Sequence, residues 1–361
     1  MFLELFFLIF MLSPLSNCLG RCVTTQENKH LECTNLYEFP QGSDSIEVLK
    51  ATNGTLIKIS SDIFLRKQFV SLKAAILQYD NIRSITKRGF NGLSSLVLLD
   101  LTRNELEELN VNAFEGAESL KVLILSGNRI QYLHQRAFAD LSSLIYLDLS
   151  RNNISDIPRN LFKHLPSLKY LDISRNPLNI VSPGTALAST SLAVLRISFS
   201  RLQEISPKLF ADLPNLQVLD LSGSNLKVWP DNILYPLSKL RVLYVDRKLL
   251  VNEEMFVPST VEKFTQTEMN VDSDAIVRKI LENLDEFNAE SKGIDVLQFL
   301  EDDIEEVKVP ELLPKWKLVL VQKILLFSLL VYLSFMYTIC VSQIVMSFIH
   351  KPYQRIYIDE I

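Results

Sequence analysis

The stretch Leu144-Ile-Tyr-Leu147-Asp-Leu149-Ser-Arg-Asn152 decides how this chain folds, because close copies of it recur along the sequence. A leucine stands every 24 residues throughout the middle of the chain, at positions 72, 96, 120, 144, 168, 192, 216 and 240. Self-similarity at this period indicates stacked units, each of which buries its apolar side chains against its neighbours. The sequence therefore predicts a solenoid, which is a binding surface far more often than an enzyme.

Each copy also predicts its own local structure. The alternation Leu147-Asp-Leu149 suits a short strand whose two leucines face the core. Asn152, at the ninth repeat position, follows the strand, where its amide can satisfy backbone groups of the turn. A phenylalanine recurs at position 19, and these rings are predicted to form a spine in the convex half of the core: Phe64, Phe90, Phe114, Phe138, Phe162 and Phe210.

These motifs resemble the extracellular ("typical") leucine-rich repeat family, whose consensus repeat has 24 residues. The resemblance covers residues 46–262, about nine units. It implies an α/β solenoid, a leucine-rich repeat horseshoe with a parallel sheet along its concave side. Members of the family are mostly receptors, adhesion molecules and proteoglycan cores. The chain departs from the consensus at position nine, where it has Asp80, Ser200, Ser224 and Lys248.

The first residues predict entry into the secretory pathway. An apolar run followed by small residues indicates a signal peptide over 1–20, and residues 21–45 precede the first repeat. Cys22 and Cys33 in this segment resemble a reduced form of the cysteine-bearing N-terminal cap of the family, which implies a disulfide between them. A pair of free thiols is the alternative.

A second apolar segment near the other end predicts a single membrane span. Residues 324–349 contain no charged side chain, and we expect a transmembrane helix over 318–349 with its core at 324–346. A buried helix in a soluble protein is the alternative. With the signal peptide and the disulfide, this segment predicts a type I plasma-membrane protein with extracellular repeats and a cytoplasmic tail over 350–361.

The segment between the repeats and this span is strongly acidic. Residues 252–311 contain 17 Asp and Glu against 5 Lys and Arg, although the whole chain has a net charge of only −5. The predicted juxtamembrane region, 263–314, also contains an amphipathic stripe formed by Ile276, Ile280 and Leu284. We expect this helix to cap the open end of the last repeat, and a partly disordered stalk is the alternative.

The sequence contains no pattern that predicts catalysis. Its four histidines are far apart, and no metal-ligand spacing, phosphate loop or nucleophile motif is present. We therefore expect neither an enzyme nor a bound cofactor or metal.

The concave strands are the predicted ligand-binding surface, because strand residues between the leucines point away from the core. Aromatic and arginine side chains among them are typical anchors of protein interfaces. Their mixed charge favours a protein partner over nucleic acid or another polyanion. The predicted ligand-binding residues are Asp100, Arg103, Tyr146, Asp148, Arg151, Tyr170, Asp172, Arg175, Arg196, Phe199, Asp220 and Tyr244.

Three functions are compatible with this pattern. The first is a cell-surface recognition or adhesion receptor without its own signalling domain, which binds an extracellular protein. The second is an auxiliary subunit or co-receptor that modulates a membrane partner, and the third is a structural surface glycoprotein.

Asn53 and Asn153 begin the two glycosylation sequons, and Tyr353 with Ile356 resembles a clathrin-adaptor sorting signal. The sequence does not determine the oligomeric state.

Overall fold

The structure, a computed structural model, describes residues 21–26, 28–179, 187–206, 208–230, 232–246, 261–265, 273–282 and 284. For residues 262–265 it describes the backbone alone. All of these residues belong to the compact unit Met1–Glu305, and a second unit, Glu306–Ile361, lies outside the described residues.

One parallel sheet organises the described chain, and only its first strand pair is antiparallel. The 12 strands of this sheet follow chain order. They are β1 (Arg21–Thr25), β2 (His30–Thr34), β3 (Val48–Thr52), β5 (Ala74–Gln78), β7 (Leu98–Asp100), β9 (Val122–Ile124), β11 (Tyr146–Asp148), β12 (Tyr170–Asp172), β13 (Val194–Arg196), β14 (Val218–Asp220), β15 (Val242–Val245) and β16 (Glu262–Thr265). Tyr146 pairs with Tyr170 and Leu147 with Leu171, so adjacent coils are in register at equivalent repeat positions.

The other side of the coils contains only short elements. Strands β4 (Lys58–Ile59) and β6 (Ser84–Ile85) form one two-stranded sheet, and β8 (Glu108–Leu109) and β10 (Tyr132–Leu133) form another. Single turns occur in helix α1 (Ile63–Arg66) and in a 3₁₀ helix at Leu161–His164. A 24-residue repeat leaves too few residues for a stable α-helix on this side. The described repeats therefore form a horseshoe-like β-solenoid of about eight turns, in which helical structure is confined to single turns.

The N-terminal cap closes the first coil. Strands β1 and β2 form an antiparallel hairpin in which Cys22 faces Cys33, and the two residues form a disulfide. Strand β2 then pairs in parallel with β3, which joins the hairpin to the solenoid. The expected disulfide is confirmed, and Cys33 is buried in the same core as the first leucines.

The leucines form one continuous core inside the coils, which we call the leucine core. It includes Leu147 and Leu149, which have no exposed surface. The predicted phenylalanine rings are also buried there, and Phe64, Phe90, Phe114 and Phe138 stack with ring centroids 5.6–5.8 Å apart. The core therefore consists of repeated contacts between neighbouring coils.

The asparagines at position nine bond to the turns as the sequence predicts. The Asn104 side chain accepts hydrogen bonds from the backbone N–H groups of Asp80 and Ile82. Its amide donates to the carbonyl oxygens of Leu77 and Leu101. Each buried asparagine thus satisfies backbone groups of two coils, which the solenoid requires where its turns are shielded from water.

Several sequence predictions lie outside the described residues. These are the signal peptide (1–20), the membrane span (318–349), the tail (350–361) and its sorting residues Tyr353 and Ile356. Within the part of the chain that the structure describes, no helix has the length and apolar character needed to cross a bilayer.

Candidate functional site

The eighth repeat position lies in the turn that follows each concave strand. Its backbone is left-handed, with φ between 51° and 70° at Tyr79, Arg103, Gly127, Arg151, Arg175, Phe199 and Gly223. The five side chains in this set are exposed, and we call them the edge ridge. A left-handed backbone costs a non-glycine residue roughly 1–2 kcal/mol, so the ridge keeps large side chains where glycine would fit with less strain.

Two cation–π pairs order the edge ridge. The Arg103 guanidinium lies 5.3 Å from the Tyr79 ring centroid, and that of Arg175 lies 4.3 Å from the centroid of Phe199. Gly223 makes room for this second pair, because a Cβ there would approach the Phe199 ring to 2.6 Å. Both rings still have about two fifths of their surface exposed, at 42% for Tyr79 and 40% for Phe199. The ridge is therefore a preformed surface of arginines and aromatic rings.

Beside the ridge, a row of buried aspartates lies along the concave strands at the fifth repeat position. Each carboxylate accepts a hydrogen bond from the backbone N–H two residues later, as Asp148 does from Ser150 at 2.8 Å. The same bond occurs at Asp100, Asp172 and Asp220. The second oxygen of Asp100 accepts a hydrogen bond from the Gln78 amide at 2.6 Å. These aspartates thus brace the turn that carries the edge ridge.

Arg196 takes the fifth position in its own coil and bridges two of these carboxylates. Its guanidinium lies 2.7 Å from Asp172 Oδ2 and 3.4 Å from Asp220 Oδ2. It also donates to the Tyr170 hydroxyl at 3.5 Å. All four side chains are buried, so the arginine compensates charge that has been removed from water.

Burial raises the pKa of several of the aspartates at the fifth repeat position. Desolvation, with a contribution from the charge of Asp172, raises the pKa of Asp148 to about 6. Desolvation also raises the pKa of Asp100 and of Asp220, in the latter case despite the opposing effect of its hydrogen bonds and of Arg196. Burial therefore favours the neutral form of these three carboxyl groups.

The chain's own helix α2 (Ser273–Glu282) packs on this floor. Ile276, Val277 and Ile280 are buried in one apolar cluster with side chains of the concave strands. We call this cluster the concave layer, and it also includes Leu284 and the stacked pair Tyr146–Tyr170, whose ring centroids are 4.4 Å apart. The sequence correctly indicated an amphipathic helix, but its expected position at the open end of the last repeat is wrong.

The predicted ligand-binding residues fall into two groups by exposure. Four are exposed on the edge ridge: Arg103, Arg151, Arg175 and Phe199. Eight are buried in the concave floor: Asp100, Tyr146, Asp148, Tyr170, Asp172, Arg196, Asp220 and Tyr244. The expectation that these eight face solvent is wrong, because strand alternation only places them opposite the leucine core and does not exclude a further covering layer.

The sequence contained one indication that another element covers the concave strands. Several third- and fifth-position residues of the early coils are apolar, and they belong to the concave layer: Ile76, Leu98, Val122 and Ile124. A solvent-facing strand surface is usually polar, so an apolar run there indicates a partner. The matching apolar stripe of α2 lies far along the chain, and only the structure joins the two.

Other predicted sites have simpler surroundings. Asn53 and Asn153, which begin the glycosylation sequons, are exposed. Within the described ranges, no group of histidine, cysteine and acidic side chains is arranged to hold a metal ion.

Comparison with known proteins supports the repeat assignment. A leucine-rich repeat family model matches residues 71–130, 118–178 and 190–250. The crystal structure of a TLR13–ssRNA13 complex aligns with 29% identity and a TM-score of 0.52 over 56% of this chain, which spans only 28% of that one. An internalin C2 from Listeria monocytogenes aligns with 29% identity and a TM-score of 0.44, covering 56% of this chain and 81% of that one.

No curated protein matches this chain closely enough to count as a relative. The fold and the family model nevertheless agree on the central region. The chain contains leucine-rich repeats over residues 71–178 and 190–250.

Proposed function

We propose that this chain is a cell-surface binding protein that engages a protein partner with its edge ridge. The observation that carries the proposal is the exposure of Arg103, Arg151, Arg175, Tyr79 and Phe199 along one edge of the sheet. Arginine and aromatic side chains provide most of the binding energy in many protein interfaces. Three arginines on this edge favour a partner that presents carboxylates.

A protein fits the edge ridge better than single-stranded RNA does. Stacking platforms for bases need an open aromatic face. The guanidinium groups of Arg103 and Arg175 already lie over Tyr79 and Phe199. The chain also has a net charge of −5, whereas nucleic-acid-binding domains are usually basic.

We further propose an extracellular location for the repeats, in a single-pass type I protein of the plasma membrane. The disulfide between Cys22 and Cys33 supports an oxidising compartment. The apolar segments over 1–20 and 318–349 support secretion and membrane anchoring. In this setting the protein acts as a recognition or adhesion receptor rather than an enzyme, and the auxiliary-subunit role stays a prediction.

Site-specific photo-crosslinking on the full chain tests the binding surface. A photoreactive phenylalanine analogue replaces Arg151 on the edge ridge or, as the matched control, Tyr132, which is exposed in a separate two-stranded sheet. We expect a discrete protein adduct from position 151 alone, when the chain is displayed on cells. Arg175→Glu in the same chain should abolish this adduct, because it reverses a charge on the ridge.

Two results would contradict the proposal. Equal adducts from positions 151 and 132 would mean that the edge ridge is not selective. An adduct that ribonuclease removes and protease leaves would identify RNA as the partner.

The exposed sequons test the proposed topology separately. If the repeats are extracellular, Asn53 and Asn153 should carry glycans, and glycosidase treatment of the full chain should increase its gel mobility. Asn53→Gln and Asn153→Gln should each remove part of the shift. If glycosidase treatment leaves the gel mobility of the wild-type chain unchanged, the result argues against the extracellular location. It does not bear on the edge ridge.

A further inference from the structure

The leucine core is complete without helix α2. Its described members extend from Leu31 to Val261 and include no residue of α2. The helix instead contributes Ile276, Val277 and Ile280 to the separate concave layer. The coils thus stack on one another through one set of contacts, and α2 docks on the finished surface through another.

The surface under α2 has the composition of a helix-binding groove. The apolar cluster that contains the buried side chains of α2 also contains side chains of the parallel strands: Val48, Ala74, Ile76, Leu98, Val122, Ile124 and Val194. The buried residues of α2 are Ile276, Val277 and Ile280, and Leu284 follows them in the same apolar cluster. This spacing is the stripe that an amphipathic helix presents to such a floor.

Polar contacts fix where the helix begins on this floor. The Ser273 hydroxyl donates a hydrogen bond to Asp148 Oδ2 at 3.0 Å. The Gln78 amide lies 3.5 Å from Asp274 Oδ1. The buried carboxylate of Asp148 also lies near the positive end of the helix dipole, which favours negative charge. The concave face therefore contacts a hydroxyl at the start of α2 as well as its apolar stripe.

We propose that the concave face is a binding site for an amphipathic helix, in which α2 is an internal and displaceable occupant. The external ligand is a helix of a partner protein that begins with a serine or threonine and carries the same apolar spacing. As long as α2 is seated, its covalent attachment to the repeats gives it a high effective concentration at the concave face, which excludes weaker helices. This groove is distinct from the edge ridge.

A labelled peptide with the sequence of residues 273–284, Ser-Asp-Ala-Ile-Val-Arg-Lys-Ile-Leu-Glu-Asn-Leu, tests the proposal by fluorescence anisotropy. Ile280→Asp in the full chain places a charge on the buried stripe of α2 and should vacate the groove. We expect the peptide to bind this variant at least about 10-fold more tightly than it binds the wild-type chain. Glu282→Ala, on the exposed face of α2, is the matched control and should behave as wild type.

A second peptide checks that binding uses the same contacts. The Ser273→Ala peptide should bind the Ile280→Asp chain more weakly, because it lacks the hydroxyl that reaches Asp148. The peptide carrying Ile280→Asp should not bind at all. Equal affinity of the parent peptide for the wild-type and Ile280→Asp chains would overturn the proposal, as would no binding to either.

The stability of the full-chain variants also tests whether α2 is displaceable. Thermal unfolding of the full-chain variants reports whether the solenoid remains cooperative, and Val277→Asp provides a second way to open the groove. If both Ile280→Asp and Val277→Asp abolish cooperative unfolding, α2 is an obligatory part of the fold and the proposal is wrong. If both variants still unfold cooperatively, and the peptide binds them but not the wild-type chain, the result supports a displaceable helix.

Discussion

The leucine core and the concave layer are both apolar, but they are encoded differently. In the leucine core, the same repeat positions recur in coil after coil, and residues such as Leu147 contact their equivalents 24 positions away. The concave layer joins the repeats to a helix that occurs once, and Ser273 contacts Asp148 across 125 residues of sequence. A repeat therefore predicts the interior of a solenoid but not what covers its concave face.

Leu147→Asp should have the largest effect on stability. The change places an unpaired carboxylate in the leucine core between two neighbouring coils. We expect the free energy of unfolding in urea to fall by more than about 4 kcal/mol, enough to unfold much of the solenoid. Leu147→Met, which conserves volume, should cost less than about 1.5 kcal/mol.

The same chemical change in the concave layer sharpens the contrast. Ile280→Asp should expose α2 to protease while the solenoid still unfolds cooperatively, because the leucine core contains no residue of α2. If Ile280→Asp and Leu147→Asp reduced the free energy of unfolding equally, the two layers would be one cooperative unit.

Arg196→Met should cause the next largest loss in the free energy of unfolding, because it removes a buried positive charge rather than apolar packing. The substitution keeps an aliphatic chain but leaves the buried carboxylates of Asp172 and Asp220 without their cation. Removal of one partner from a buried ion pair typically costs about 3–5 kcal/mol. The measurement is urea unfolding of the full chain at pH 7, with Arg201→Met, an exposed arginine, as the control.

The pH dependence of this variant follows from the raised pKa of Asp220, which burial holds above its ordinary value. A carboxyl with a raised pKa favours folding most below its unfolded pKa, and this contribution is lost as pH rises through the folded pKa. Without Arg196 the pKa should rise further, so the loss of stability should grow from pH 4 to pH 7. A loss that is independent of pH would contradict the assigned ion network.

Several features that depend on contact between equivalent repeat positions could be predicted from the sequence. The stacked phenylalanines and the asparagine bonds follow from the repeat itself, and the parallel sheet and the Cys22–Cys33 disulfide were implied by the family resemblance. Asp148 shows where such reasoning stops. Alternation correctly placed it on the opposite face from Leu147, but its burial depends on a helix more than a hundred residues away. Such single long-range contacts leave no periodic trace.

Asp80→Asn should stabilise the protein, because Asp80 is the poor match to the asparagine found at this position in the next four coils. Its Oδ1 accepts a hydrogen bond from the Gly54 N–H at 2.6 Å, while Oδ2 is buried and has no hydrogen-bond partner among the described residues. An amide there could donate to the Leu77 carbonyl, as Asn104 does to Leu101. We expect the free energy of unfolding at pH 7 to increase by about 1–3 kcal/mol.

At acidic pH, the stability gained by Asp80→Asn should disappear. Burial raises the pKa of Asp80 to about 6 from its ordinary value of 3.8, so protonation between these values favours the folded wild-type chain. The gain from Asp80→Asn should therefore be largest above pH 6 and should shrink toward pH 4. Urea unfolding of both proteins across this range measures it, and a gain that increased in acid would contradict the assigned burial of the carboxylate.

Phe199→Ala should have the smallest effect, because it removes an exposed contact on the edge ridge and leaves both apolar layers intact. The Arg175 guanidinium lies 4.3 Å from the Phe199 ring centroid, and an exposed cation–π pair contributes about 0.5–1 kcal/mol. We expect a loss of this size in urea unfolding, and a smaller one for Tyr79→Ala, where the distance to Arg103 is 5.3 Å. A double-mutant cycle of Phe199→Ala with Arg175→Ala isolates the pair. A loss as large as that expected for Arg196→Met would place Phe199 in the folded core and remove it from the surface available to a partner.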